Sequence, residues 1–333
     1  MKHWRSAATV LAVAGIGILL YGYFLLSTPV LPGPGVVEME IPEGTSTRAV
    51  LDSLRDRDLI RSVPVSYLYI RYKAREPKAG YYRFTLPSQP AAVLNQVLSG
   101  QVDLVRVTIP EGWNRFQIAE LLERSGVTSG DEFLALSGNP AMVDDLDPEA
   151  PDCEGFLFPE TYRFARAIPA RRVLSTLIEH FRRTFRDHFQ TRLLQKGLTV
   201  HRWVIMASLV ESEAQARKEK PIISGVFYNR LQRGMLLQCD PTVRYALILA
   251  GEPHRRLGYA QLRFDHPYNT YIYRDLPPGA ICNPGRGALE ASLSPSDTRA
   301  LYFVARNDGT HAFSSTLQEH TRYVNQYQRG GGS

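Results

Sequence analysis

Hydrophobic and polar positions first separate at the N-terminus, where Ala7 to Leu26 (AATVLAVAGIGILLYGYFLL) runs for 20 residues without a charge. As a helix rising about 1.5 Å per residue, this stretch spans the roughly 30 Å of a bilayer's hydrocarbon layer. Lys2 and Arg5 precede it. Positive charge on the short leading side predicts an N-terminus in the cytoplasm and everything after residue 27 beyond the membrane. A cleaved signal peptide would carry a shorter apolar run, about 7–15 residues, followed by a small-residue cleavage site. The run here is longer and no such site follows, so residues 1–27 are expected to be a cytoplasmic tip and an uncleaved anchor.

Past a spacer rich in Pro and Gly, residues 28–36, the pattern changes to strict alternation. Val37 to Gly44 (VEMEIPEG) returns 68 residues later as Val105 to Gly112 (VRVTIPEG). In each copy the alternating apolar residues predict a strand and Pro-Glu-Gly a turn. Helical spacing follows: Ala49, Val50, Leu51 and Leu54 in the first copy, Ile118, Ala119, Leu121 and Leu122 in the second. A second short helix is expected at 65–72 and 131–136, then a closing aromatic strand at 80–84 and 161–164. The unit reads β-α-α-β, giving an α+β chain with one module at 37–102 and another at 103–168. Helices are expected over 170–184 and 194–216. From Asp240 onward turns (DPT, LPPG, NPG, NDG) alternate with aromatics, so 169–328 reads as a third, mixed α/β domain around a helical core, ending in a flexible tail at 329–333.

Composition narrows the function classes. At 333 residues with 44% hydrophobic content, the chain has material for several cores and none of the marks of disorder. Its net charge of +6 comes from scattered Lys and Arg rather than from runs, which fits surface solvation and gives no basis for a nucleic-acid partner. Cys153, Cys239 and Cys282 are too few and too far apart for a disulfide framework or a zinc site, so they are expected as buried packing residues. No Gly-rich phosphate loop, metal cluster or nucleophilic triad spacing stands out, and no cofactor is expected.

The densest run of unusual choices is Met206 to Tyr245. On a helix, Met206, Leu209, Val210 and Glu213 share one stripe. A carboxyl ending an apolar stripe loses hydration, which raises its pKa and lets it hold a proton near neutral pH. Glu211 lies about 200° around the same helix, so the two cannot face one cleft directly.

Longer motifs in the segment resemble the MltG (YceG-like) family of endolytic murein transglycosylases. Ala207 to Glu213 (ASLVESE) looks like the family's A-S-I-V-E-x-E helix. Val226 to Leu231 (VFYNRL) is similar to V-F-x-N-R-L, and Met235 to Val243 (MLLQCDPTV) to M-x-L-Q-x-D-P-T-V. Pro267 to Tyr271 (PYNTY), Leu276 to Ile281 (LPPGAI), Asn283-Pro284-Gly285 and Leu301 to Val304 (LYFV) follow in the family's order. The β-α-α-β units with their IPEG entry resemble LysM-like modules.

The resemblance implies cleavage of the β-1,4 bond between N-acetylmuramic acid and N-acetylglucosamine without water, leaving a 1,6-anhydro end. It implies peptidoglycan glycan strands as substrate, peptidoglycan synthases as partners, and a place at the inner membrane with the catalytic part in the periplasm. It carries both Glu211 and Glu213 as candidate acids. Glu213 is preferred because it ends the more apolar stripe and precedes small Ala214. Asn229, Gln238, Asp240, Tyr268, Asn269 and Tyr271 are candidates for substrate contact, with Glu211 beside them. Asp240 could equally cap the next helix, and Tyr268 to Tyr271 could equally form a rigid turn.

Overall fold

The computed structural model describes residues 2–252 and 257–329. The chain forms, in order, helix α1 (Lys2–Ser27), β1 (Gly35–Ile41), α2 (Thr47–Asp56), α3 (Val63–Lys73), β2 (Gly80–Leu86), α4 (Pro90–Ser99), β3 (Leu104–Thr108), α5 (Arg115–Arg124), α6 (Gly130–Ser137) and β4 (Thr161–Ala165). There follow α7 (Ala170–His188), α8 (Gln190–Gln195), α9 (Val200–Glu213), α10 (Lys220–Gln232), α11 (Asp240–Leu249), α12 (Tyr259–Leu262), α13 (Arg286–Leu293), β5 (Tyr302–Ala305), β6 (His311–Ser314) and α14 (Leu317–Val324). Both β-α-α-β orders expected from the repeat are present, and the mixture is α+β. Of the expected tail, residues 330–333 lie outside the described residues.

Two compact units result, one of residues 1–105 and 163–168, the other of 106–162 and 169–333. In the first, β1 and β2 pair antiparallel from Gly35 opposite Leu86 to Ile41 opposite Gly80. Alternation sends Met39, Ile41, Tyr82 and Phe84 inward, where they meet Val50, Leu51 and Leu54 of α2 and Val93, Leu94 and Val97 of α4. The Pro-Glu-Gly turn leaves β1 through Gly44 at φ 81°, a backbone that a side chain resists, and Gly112 repeats it at φ 80°. Ser46 then caps α2, its Oγ accepting from Ala49 N at 3.3 Å.

Helix α1 includes a 19-residue stretch, Thr9–Ser27, long and apolar enough to cross a membrane. Its end does not swing free. Leu26 packs on the first unit's core, Arg61 lies over the Phe24 ring at 5.8 Å, and its Nη2 donates to Pro29 O at 2.6 Å. The Pro/Gly spacer is thus partly absorbed into the fold.

Residues 106–162, expected within a module of their own, cluster with the C-terminal segment, and the division between units falls inside β3 and β4. The reason is a buried polar hub. Asn283, fully inaccessible, accepts from Gly155 N and Leu157 N, each at 2.9 Å, and donates to Trp113 O and Glu154. Such bonds satisfy backbone groups that would otherwise be buried without partners.

The helix expected at 194–216 is split. Gly197, at φ 62°, ends α8, and Thr199 caps a fresh start for α9, its Oγ1 accepting from Arg202 N at 3.2 Å. From Trp203 to Val210 every residue of α9 is buried, so the apolar surface is a full cylinder rather than a stripe. Trp203 Nε1 donates to Leu289 O of α13 at 2.9 Å.

Candidate active site

Two carboxylates emerge where α9 ends, and they part at once. Glu211 turns into an ion pair: Lys220 Nζ stands 2.7 Å from Oε1, and Gly285 N donates to Oε2 at 2.9 Å. The side chains of Glu211 and Lys220 are 7% and 4% exposed, so little water screens them. Glu111, the acid of the second Pro-Glu-Gly turn, completes the cluster at 3.5 Å from Lys220. This network ties α9 to α10, to the start of α13 and to that turn.

Glu213, the last residue of α9, has a different neighbourhood. Burial pushes its pKa up. The Cys239 thiol, hydrogen-bonded to the carboxyl, opposes this; the Asp240 charge adds to it; His311 and Arg230 pull back down. The partial negative charge of the helix C-terminus also disfavours a carboxylate there. A group so placed holds its proton above the usual carboxylate range and can release it to a nearby acceptor.

Around it lie parts of three motifs. The chain reaches Cys239 through Gln238, an exposed non-glycine residue at φ 50°, a left-handed conformation that costs energy and concentrates at functional sites. Thr270 pins this bend, its carbonyl accepting from Gln238 N at 3.1 Å and its Oγ1 from Cys239 N at 3.0 Å. Asp240 does not cap α11: Cys239 occupies the cap position without a side-chain bond, and Asp240 instead accepts from Tyr271 OH at 2.5 Å. Burial, then this bond, drives the Tyr271 hydroxyl's pKa upward, so it stays a donor. Arg230 is fixed among carbonyls, donating to Leu301 O at 2.6 Å and Leu237 O at 2.8 Å, with the Tyr302 ring 5.2 Å from its guanidinium.

Not every candidate joins this cluster. Asn229 spends its amide on Thr298 O and Ala300 O, at 2.7 and 3.0 Å. Asn269, wholly buried, donates to Leu262 O and Phe264 O and accepts from Tyr271 N, which makes the turn that presents Tyr271. Tyr268 is buried with its ring 5.3 Å from that of Tyr245.

Tyr245 leads to a second buried acid that sequence reasoning did not single out. Glu154 accepts from Tyr245 OH at 3.0 Å, from Asn283 Nδ2 at 2.6 Å, and from Arg115 N at the start of α5. Burial, then the charge of Asp152, raises its pKa to about 8. No spacing rule links positions 154, 245 and 283, so pattern reading could not have found it. Cys239 was expected only as packing. All three cysteines are buried and free, and burial raises the Cys239 thiol's pKa, so it keeps its proton and donates a hydrogen bond to Glu213 rather than acting as a nucleophile. Among the described residues no group of three or more His, Cys, Asp or Glu side chains is arranged to hold a metal ion.

Comparison with known proteins places nearly the whole chain among relatives of one kind. The YceG-like family model matches residues 39–326. The endolytic murein transglycosylase of Bacillus subtilis (strain 168) is 32% identical over 327 residues, covering 93% of this chain and 90% of that protein. The protein of the same name from Streptococcus pneumoniae serotype 2 (strain D39 / NCTC 7466) is 27% identical over 344 residues; the match takes in 91% of this chain but 61% of that longer protein. A crystal structure of a yceG-like protein from Listeria monocytogenes superposes with a TM-score of 0.60 at 30% identity, covering 87% of this chain and 100% of that one.

Proposed function

The chain belongs to the YceG-like family, and from that premise we propose that it is an endolytic peptidoglycan lytic transglycosylase with Glu213 as its single acid and base. The observation that carries the reading is the contrast at the end of α9. Glu211 is held by a buried lysine and a backbone N–H, whereas burial and Asp240 raise the pKa of Glu213.

In the proposed reaction Glu213 gives its proton to the glycosidic oxygen as the bond from the muramoyl anomeric carbon breaks. As carboxylate it then takes the proton of that sugar's 6-hydroxyl, whose oxygen closes on the anomeric carbon to give the 1,6-anhydro end. An attacking group within the same ring brings high effective concentration, so no water and no second carboxylate is needed. Tyr271, Asp240 and the exposed Gln238 are the proposed sugar-contacting groups; Asn229, Asn269, Tyr268 and Glu211 support the walls. The β-α-α-β units are proposed as LysM-like glycan contacts. Helix α1 is proposed as a single inner-membrane anchor, N-terminus in the cytoplasm and active part in the periplasm, where cutting nascent strands beside the synthases would set their length.

One observation favours a second reading. The Asp240 charge acts on Glu213, and paired carboxylates serve glycosidases that use water. Digestion of purified peptidoglycan by the full chain separates the two: the expected anhydro ends are lighter than hydrolysed ends by one water. Hydrolysed ends would establish a muramidase. Absence of any cutting by well-folded protein would replace catalysis with a scaffold role.

A further inference from the structure

Beyond Glu213, the single helical turn Arg217–Glu219 brings down a second carboxylate, and both of its oxygens are taken by one residue of the distant β5–β6 hairpin. His311 donates its backbone N–H to Glu219 Oε1 at 3.1 Å, and its ring Nδ1 lies 2.8 Å from Oε2. The two side chains are 7% and 8% exposed. An Nδ1 facing a carboxylate carries the hydrogen, which fixes the ring's tautomer and orientation.

The hairpin is seated against the end of α9. Phe303 and Phe313 pack on the cluster containing Met206, Leu209 and Val210, the last turns before Glu213, and the His311 ring meets Phe303 edge-on at 5.5 Å. At Gly309 a Cβ would lie 3.7 Å from Oε1 of Gln215, two residues past Glu213. Hairpin, turn and helix end are therefore one packed body.

Resting on the reading of Glu213 as proton donor, we propose that His311, clamped by Glu219, is a positioning residue for Glu213: the pair fixes the segment between Glu213 and Glu219 and sets an imidazole able to carry positive charge opposite the carboxylate left when the proton departs. Five other titratable or charged groups surround this centre. Asp240 opposes the imidazole's effect, Arg230 adds to it, the Cys239 thiol bonds Glu213 directly, the Tyr271 hydroxyl bonded to Asp240 feels the Glu213 charge, and Glu219 faces the ring. Arg230's bonds to Leu301, Leu236 and Leu237 carbonyls hold it in place, whereas the His311 ring is held by Glu219. The ring gains and loses no proton over the cycle; the proton leaves Glu213 for the glycosidic oxygen and returns from the 6-hydroxyl.

The test uses full-length protein bearing His311→Gln or Glu219→Gln, digesting purified peptidoglycan across a pH series, with thermal unfolding of each variant recorded. Expected are a fall in kcat of about tenfold or more with KM changed less than about twofold, since the effect is on the reacting proton rather than on binding. In His311→Gln the imidazole's downward pull on the Glu213 pKa is lost, so that pKa rises. Because the protonated acid is the active form, the alkaline limb of the profile then moves to higher pH. The double variant should be no worse than the worse single one, as for groups acting together. Folded variants with the wild-type rate and profile, or with KM raised at unchanged kcat, overturn the proposal. If His311→Gln fails to fold, Glu219→Gln, altered on the turn rather than the strand, decides between these outcomes. Failure of the wild type to cut strikes the proposed function instead and leaves the two failures distinct.

Discussion

Replacing each glutamate at the end of α9 by glutamine should separate stability from catalysis. Removing one charge of a buried ion pair costs about 3–5 kcal/mol, because the other charge stays buried. In Glu211→Gln the Lys220 ammonium keeps Glu111 at 3.5 Å, and the new amide oxygen can still accept from Gly285 N. The lower figure, about 3 kcal/mol, is therefore expected, which for a unit of this size lowers the melting temperature by roughly 6–12 °C. Glu213→Gln replaces a carboxyl already inclined to stay protonated with a group of the same shape. Its stability should change by less than about 1 kcal/mol, while loss of the transferable proton lowers the cutting rate by about 10²–10⁴-fold. The assay pairs thermal unfolding with mass analysis of ends released from purified peptidoglycan at a temperature where both variants are folded. A Glu213→Gln protein that cuts, beside a folded Glu211→Gln that does not, would exchange the two roles. Equal melting of Glu211→Gln and wild type would refute the ion-pair argument.

Glu154, with a folded pKa of about 8 against an ordinary 4.5, holds a proton that the unfolded chain has lost between those values. Stability should thus fall as pH rises through that window, by up to about 1.4 kcal/mol per pH unit, and Glu154→Gln should flatten the slope in denaturant titrations; an unchanged slope would remove Glu154 as its source. Asn283→Ala strands Gly155 N and Leu157 N, whereas Trp113 O keeps the backbone N–H of residue 283 and Glu154 keeps Tyr245 and Arg115; at about 1–3 kcal/mol per orphaned group it should cost at least about 2 kcal/mol. A near-native unfolding midpoint would mean that the hub is dispensable. Cys239→Ala deletes a donor that lowers the Glu213 pKa, so the alkaline limb of activity should move up; a profile superposing on the wild type counts against the thiol's role.

Local regularities were readable and distant pairings were not. Alternation at Val37–Ile41 and the Pro-Glu-Gly turns announced both β-α-α-β orders because strand period and turn chemistry depend on adjacent residues. Gly197 lies inside an otherwise helical run, where its left-handed backbone, rather than its neighbours' hydrophobicity, ended the helix. The apolar run before Glu213 was legible as a stripe, although α9 proved buried on all sides. Lys220 is buried beside Glu211, nine residues before it, and Glu111, 109 residues before it, and the second of these partners has no local signature. His311 with Glu219 and Glu154 with Asn283 depend in the same way on closures of 92 and 129 residues, to which no periodicity is sensitive.

The junction between α1 and the first unit bears on orientation. Leu26 against the core, Phe24 beneath Arg61 and Pro29 bonded to the same guanidinium make a welded post rather than a leash. A leashed domain samples every compass heading above a bilayer. With α1 as the proposed anchor, a welded one turns only as that helix turns about its own axis, so its heading persists for as long as the helix keeps its azimuth. Cutting the chain at residue 28 to make it soluble would release that compass needle and remove Leu26 from its place against the core. The shortened protein would then differ from the whole in more than its attachment.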